Sequence, residues 1–84
     1  MKNNKILKKK IIYRANHRGT KEMDLLLGGF VKKYIDNLNE AEINDLEKLL
    51  FVDDEIIYKW YFQSNSNKSI PITKISTLLL KFKL

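Results

Sequence analysis

The chain has 84 residues, 44% of them hydrophobic and 31% charged, with a formal net charge of +6, an amount of sequence that makes one small domain and leaves no room for a second. A core of this size holds a fold but not a deep enclosed pocket, and the absence of cysteine excludes disulfides, thiolate nucleophiles, zinc fingers and iron–sulfur clusters. The charge is split: residues 1–22 carry a net +7, residues 23–62 a net −5 and residues 63–84 a net +4, so the basic excess lies at the two ends, which weakens a nucleic-acid reading.

In chain order, residues 5–16 set Ile6, Leu7, Ile11 and Ile12 among lysines, and predict a short helix whose lysine stems lie along apolar surface. From Met23 through Leu26, Leu27, Phe30, Val31, Tyr34 and Leu38 the apolar residues recur every three or four positions, the stripe of an amphipathic helix. Gly28 and Gly29 fall inside it, each costing about 1 kcal/mol relative to Ala, so the expectation is a kink or break near Gly28, or the close approach of another backbone.

Asn39, with Glu42 at the third helical position, predicts an N-cap and a helix that starts at Glu40. Its buried face is Ile43, Leu46, Leu49 and Leu50, and it should end near Phe51. Asp53 or Asp54 then opens another helix, both aspartates being read as caps, with Ile56, Ile57, Trp60 and Tyr61 turned inward. Residues 63–69, a run of Ser, Asn and Lys, form a loop. Pro71 is expected in the first turn of a last helix that carries Ile72, Ile75, Leu78, Leu79 and Phe82, with a strand as the alternative because Ile, Thr and Ser lower the helix propensity.

The pattern is all-α, a bundle of four or five short helices joined by tight turns. No apolar run approaches the roughly 18 to 20 residues of a bilayer span, and the lysine-rich start lacks the apolar region of a secretory signal. The expectation is a cytoplasmic protein with no membrane insertion.

Chemistry-bearing residues are few. One histidine, His17, cannot make a multi-histidine metal site or an acid–base relay. Asp53, Asp54 and Glu55 suit helix capping better than cation binding. Against 14 lysines there are two arginines, Arg14 and Arg18. Arg18 lies in the segment that joins the first helix to the second. There Gly19 is expected to turn the chain with positive φ, Thr20 or Gly19 to cap the helix, and Glu22 to sit in its first turn. Helix initiation has no need of Arg18, a planar fork-shaped donor predicted on an exposed turn beside Glu22 and Asp24, suited to clamping a carboxylate or phosphate of a partner.

These residues resemble a known family. Arg18-Gly19-x-x-Glu22 followed by Met23-Asp24, a Leu-rich helix through Phe30 and Tyr34, then Leu49-Leu50-x-x-Asp53-Asp54 and Trp60, is similar to the SdhE family of succinate dehydrogenase assembly (flavinylation) factors, over about Tyr13 to Phe62. The resemblance implies a small five-helix bundle that binds the flavoprotein subunit of succinate dehydrogenase, with the related fumarate reductase subunit as a further candidate client. It also implies a factor that promotes covalent attachment of FAD to that subunit, as a monomer with no stably bound cofactor and no catalytic residues of its own. Arg18, Gly19 and Glu22 would then form the partner-binding motif, with His17 and Asp24 beside it. Two positions depart from the family: His17 stands where many members have a second basic residue, and Glu55 where many have proline. The basic segment 63–84 shows no family feature. The competing reading is a basic protein- or nucleic-acid-binding module, such as a toxin-neutralising factor, motivated by the net charge and the Lys8-Lys9-Lys10 run; phosphate binding of that kind would fall steeply with salt.

Overall fold

The computed structural model describes residues 4–83. Among them, α1 spans Asn4–Ala15, α2 Lys21–Tyr34, α3 Glu40–Leu50, α4 Asp54–Phe62 and α5 Lys74–Lys81, with a short 3-10 turn at Ile35–Asn37 after α2. The five helices match the all-α bundle expected. α1 lies against both α2 and α3, and α5 packs on α3. A radius of gyration of 12.0 Å is that of a close-packed chain of this length.

Helices α2, α3 and α5 begin where the backbone amides find a side-chain partner. Thr20 caps α2 by accepting from the Met23 amide. At α3, Asn39 and Glu42 exchange side-chain and backbone hydrogen bonds at 2.8 and 2.9 Å, the reciprocal box that satisfies two free donors. The Glu42 carboxyl is held below its ordinary range by the Asn39 amide first and by Lys74 second, so one side chain both caps α3 and reaches α5.

Three local expectations change. α2 runs unbroken through Gly28; the glycine serves a close approach instead, since a Cβ there would lie 2.4 Å from the Asn16 Oδ1 and 3.6 Å from the Ala15 carbonyl. α2 also stops at Tyr34, short of the expected Leu38, where the 3-10 turn takes over. Pro71 does not enter α5. That helix starts after Thr73, whose hydroxyl accepts from the Ser76 amide while Ser76 Oγ accepts from the Thr73 amide, a box that displaces the proline two residues upstream of the cap.

The core is built from the predicted stripes, except that Ile72, expected on the last helix, precedes it and is 98% exposed. Ile11 and Ala15 of α1 meet Met23, Leu26, Leu27 and Phe30 of α2, closed below by α3 and by Ile57, Ile75 and Leu79. The C-terminal segment belongs to this core: Phe82 packs edge-on against Phe30, 5.6 Å between ring centres, and its carbonyl accepts from the Tyr61 hydroxyl.

Candidate functional site

The loop from Asn16 to Thr20 carries the predicted motif to the place where α3 gives way to α4. Arg18 does not reach outward from an exposed turn. Its side chain is 11% exposed and its guanidinium is turned inward. Nε donates to Asp54 Oδ1 at 2.7 Å, and one terminal nitrogen is ion-paired with the same oxygen at 2.6 Å. The terminal nitrogens also donate to the Leu50 and Val52 carbonyls at 2.9 and 3.2 Å. Those two carbonyls lie at the frayed end of α3, where helical backbone lacks acceptors' usual partners, and a planar fork fits such a cluster where lysine does not.

Asp54 holds the other side. Its second oxygen accepts from the Gly19 amide at 2.6 Å, so a single carboxylate fastens both halves of the Arg18-Gly19 pair. The capping role expected of the paired aspartates is therefore only partly met. Asp53 occupies the N-cap position of α4 without a side-chain bond, and Asp54 is committed to the motif loop. Gly19 itself has no positive φ, contrary to expectation. It is small because a Cβ would stand 3.0 Å from Asp54 Oδ2.

The remaining motif residues divide by exposure. Asp24 folds back, accepting from the Arg18 amide at 2.5 Å. Glu22 is exposed in the first turn of α2 and makes no hydrogen bond or ion pair among the described residues, which leaves it as the motif's outward carboxylate. His17 is exposed; its Nδ1 donates to the Tyr13 carbonyl at 2.7 Å and its ring stacks on Tyr13 at 3.9 Å. Arg14 is also structural, lying 4.3 Å over the Phe51 ring and 3.6 Å from Glu47, and so ties α1 to the end of α3.

Next to the loop is an open groove of about 350 Å³ lined by Gly19, Thr20, Met23, Asp54, Glu55 and Tyr58. Tyr58 pairs with Phe62 at 4.8 Å, giving the α4 side an exposed aromatic rim. Sequence reasoning missed Asp54, Glu55 and Tyr58 as site residues. The available signal was the second aspartate of the pair, since one aspartate suffices for a cap. Among the described residues no three His, Asp or Glu side chains converge on a metal-sized site, and no helix is long and apolar enough to cross a membrane. The outward groups are an unpaired carboxylate, backbone edges and an apolar groove, an assortment suited to recognising a surface.

Comparison with known proteins gives a consistent picture. Residues 9–83 match the model of a family described as flavinator of succinate dehydrogenase, a match that runs through the C-terminal segment in which sequence reading found no family feature. The chain is 40% identical over 55 residues to the FAD assembly factor SdhE of Acetobacter pasteurianus, covering 66% of this chain and 50% of that one. It is 36% identical over 72 residues to the mitochondrial succinate dehydrogenase assembly factor 2 of Saccharomyces cerevisiae, covering 86% and 44%. To the protein of the same name in Scheffersomyces stipitis it is 41% identical over 66 residues, covering 79% and 44%. The chain thus spans about half the length of the curated relatives it matches. No solved structure matches it.

Proposed function

This chain belongs to the family of succinate dehydrogenase flavinators, and from that membership we propose that it binds the flavoprotein subunit of succinate dehydrogenase and promotes covalent attachment of FAD to it. The observation that carries the reading is the clamp: Arg18, Gly19 and Asp54 lock the motif loop against the α3–α4 junction, so that Glu22 and the Tyr58 groove are presented in fixed relation. A preordered surface binds with less loss of conformational freedom than a mobile one.

The reacting groups belong to the partner and its flavin. This chain acts as a monomeric, non-catalytic helper, holding no FAD of its own. Docking favours the conformation in which flavin and acceptor side chain are aligned, a shift in population. Alignment of reacting groups is worth on the order of 7 kcal/mol in favourable cases, enough to accelerate attachment with no acid or base supplied by the helper. Glu22 would accept a hydrogen bond from the partner, and Gly19 would allow close approach. Arg18 and Asp24 would act by holding the loop, a change from the direct ionic contact that the sequence alone suggests for Arg18. The nucleic-acid or toxin-neutralising alternative gains no support from the family match or the relatives.

The test is covalent flavin, read as fluorescence that survives denaturation, after mixing the chain with the apo flavoprotein subunit and FAD. Wild type should raise it, Glu22→Gln should lower it with the fold intact, and Gly19→Arg, which drives a side chain into Asp54, should abolish it. Equal labelling with and without wild-type protein would refute the proposal.

A further inference from the structure

The outer face of α1 has no part in the clamp or the groove, and its composition is not that of a solvated helix face. Ile6, Lys9, Lys10 and Tyr13 stand at i, i+3, i+4 and i+7, the spacing that places side chains on one side of a helix, and His17 follows just past the end of α1. All five are exposed, Ile6 by 58% and Tyr13 by 63%. Of the four lysines in α1, Lys8 is ion-paired, with Asp36 at 3.9 Å; Lys5, Lys9 and Lys10 have no carboxylate partner among the described residues. Lys9, Lys10, Tyr13 and Arg14 line a shallow depression of about 460 Å³. The stripe ends on the Tyr13–His17 stack, one residue from Arg18.

We propose that this stripe is a second docking element, which takes an acidic segment of the same flavoprotein partner alongside the motif loop; the proposal rests on the functional reading above. Charge argues for the occupant: Lys9 and Lys10, exposed side by side on α1 and left without carboxylate partners among the described residues, call for carboxylates from outside. Tyr13 and Ile6 supply the apolar anchors that a lysine cluster alone lacks, tyrosine being enriched where interfaces gain most of their energy. A lipid surface fits less well. Interfacial helices bury a broad apolar face, whereas Ile11 and Ala15 of α1 are inside the core and the large aliphatic residues it exposes are only Ile6 and Ile12.

Binding of the full chain to the purified flavoprotein subunit should be measured by calorimetry at about 50 and about 300 mM salt, charge pairs at an interface rim acting mainly through screened attraction. The double charge reversal Lys9→Glu/Lys10→Glu should weaken binding by about tenfold at the lower salt and less at the higher, two such contacts each being worth a few-fold. Tyr13→Ala should weaken it at both. Circular dichroism should show the helices and melting point of the charge-reversed chain unchanged. Unaltered affinity and unaltered salt dependence in the double variant, with wild type binding normally, would overturn this proposal alone. Wild type failing to bind the subunit at all would overturn the functional reading as well. Sedimentation of wild type with phosphatidylserine vesicles, lost on charge reversal while subunit binding is kept, would also overturn it, in favour of a lipid surface.

Discussion

Replacing Arg18 by alanine removes two contacts to the Asp54 carboxylate and two backbone carbonyl partners, and leaves Asp54 with only the Gly19 amide. Hydrogen bonds to charged groups are worth about 1.5–3 kcal/mol, and breaking a buried pair costs about 3–5 kcal/mol. The Asp54 side chain is 25% exposed, so solvent screens part of this and about 2–3 kcal/mol is the expected loss. At about 4–8 °C per kcal/mol for a domain of this size, the melting temperature should fall by roughly 10–20 °C. Asp54→Ala should destabilise to a similar extent, because it strips the same guanidinium. The decisive measurement is the double variant in urea denaturation followed by circular dichroism. The two changes act on one contact, so the double should be no more than about 1 kcal/mol less stable than either single. Losses that add to within about 0.5 kcal/mol would refute the clamp as the reason for an arginine at this position.

Two further outcomes follow from individual contacts. Gly28→Ala should be nearly neutral in thermal melts, because the helix propensity gained, about 1 kcal/mol, offsets the displacement of the exposed Asn16 side chain, whereas Gly28→Val should destabilise by about 2 kcal/mol or more, its branches crowding the Ala15 backbone; equal melting points for the two variants would contradict the close approach. The Glu42 carboxyl is depressed in the folded chain by the Asn39 amide and Lys74, so its stabilising contribution is present above the unfolded glutamate range and is lost as the pH falls through the lower folded value. Glu42→Gln should therefore be less stable than wild type at neutral pH, with the gap closing as acid is added, and a gap that stays constant down the titration would refute the assignment.

The helices were legible in the sequence wherever a stripe and a cap agreed. Asn39 with Glu42, and Ile43 through Leu50, specify α3 almost to the residue, because both signals are local. Where the reading failed, the deciding partner lay elsewhere in the chain. Gly28 reads as a helix breaker from propensity alone, yet its neighbours are Asn16 and the Ala15 carbonyl at the end of α1. Gly19 reads as a turn with positive φ, yet it is small to admit Asp54. Pro71 outcompeted a Thr73–Ser76 box that uses serine in place of the usual acid. In the candidate site, position was readable and direction was not: residues 17–24 do gather at one corner, but whether a guanidinium faces solvent or structure depends on the Leu50 and Val52 carbonyls, which no pattern in residues 14–24 reveals.

The same clamp has a kinetic side. Arg18 and Asp54 are 36 residues apart in the chain, and a contact of that separation is rewarded only after the intervening helices have collapsed. Interactions absent from the folding transition state slow unfolding without hastening folding. The arginine of the motif thus acts as a latch: α1, α2 and α3 find one another at a rate set by their apolar stripes, and the bond that closes afterwards governs how long the finished loop stays shut.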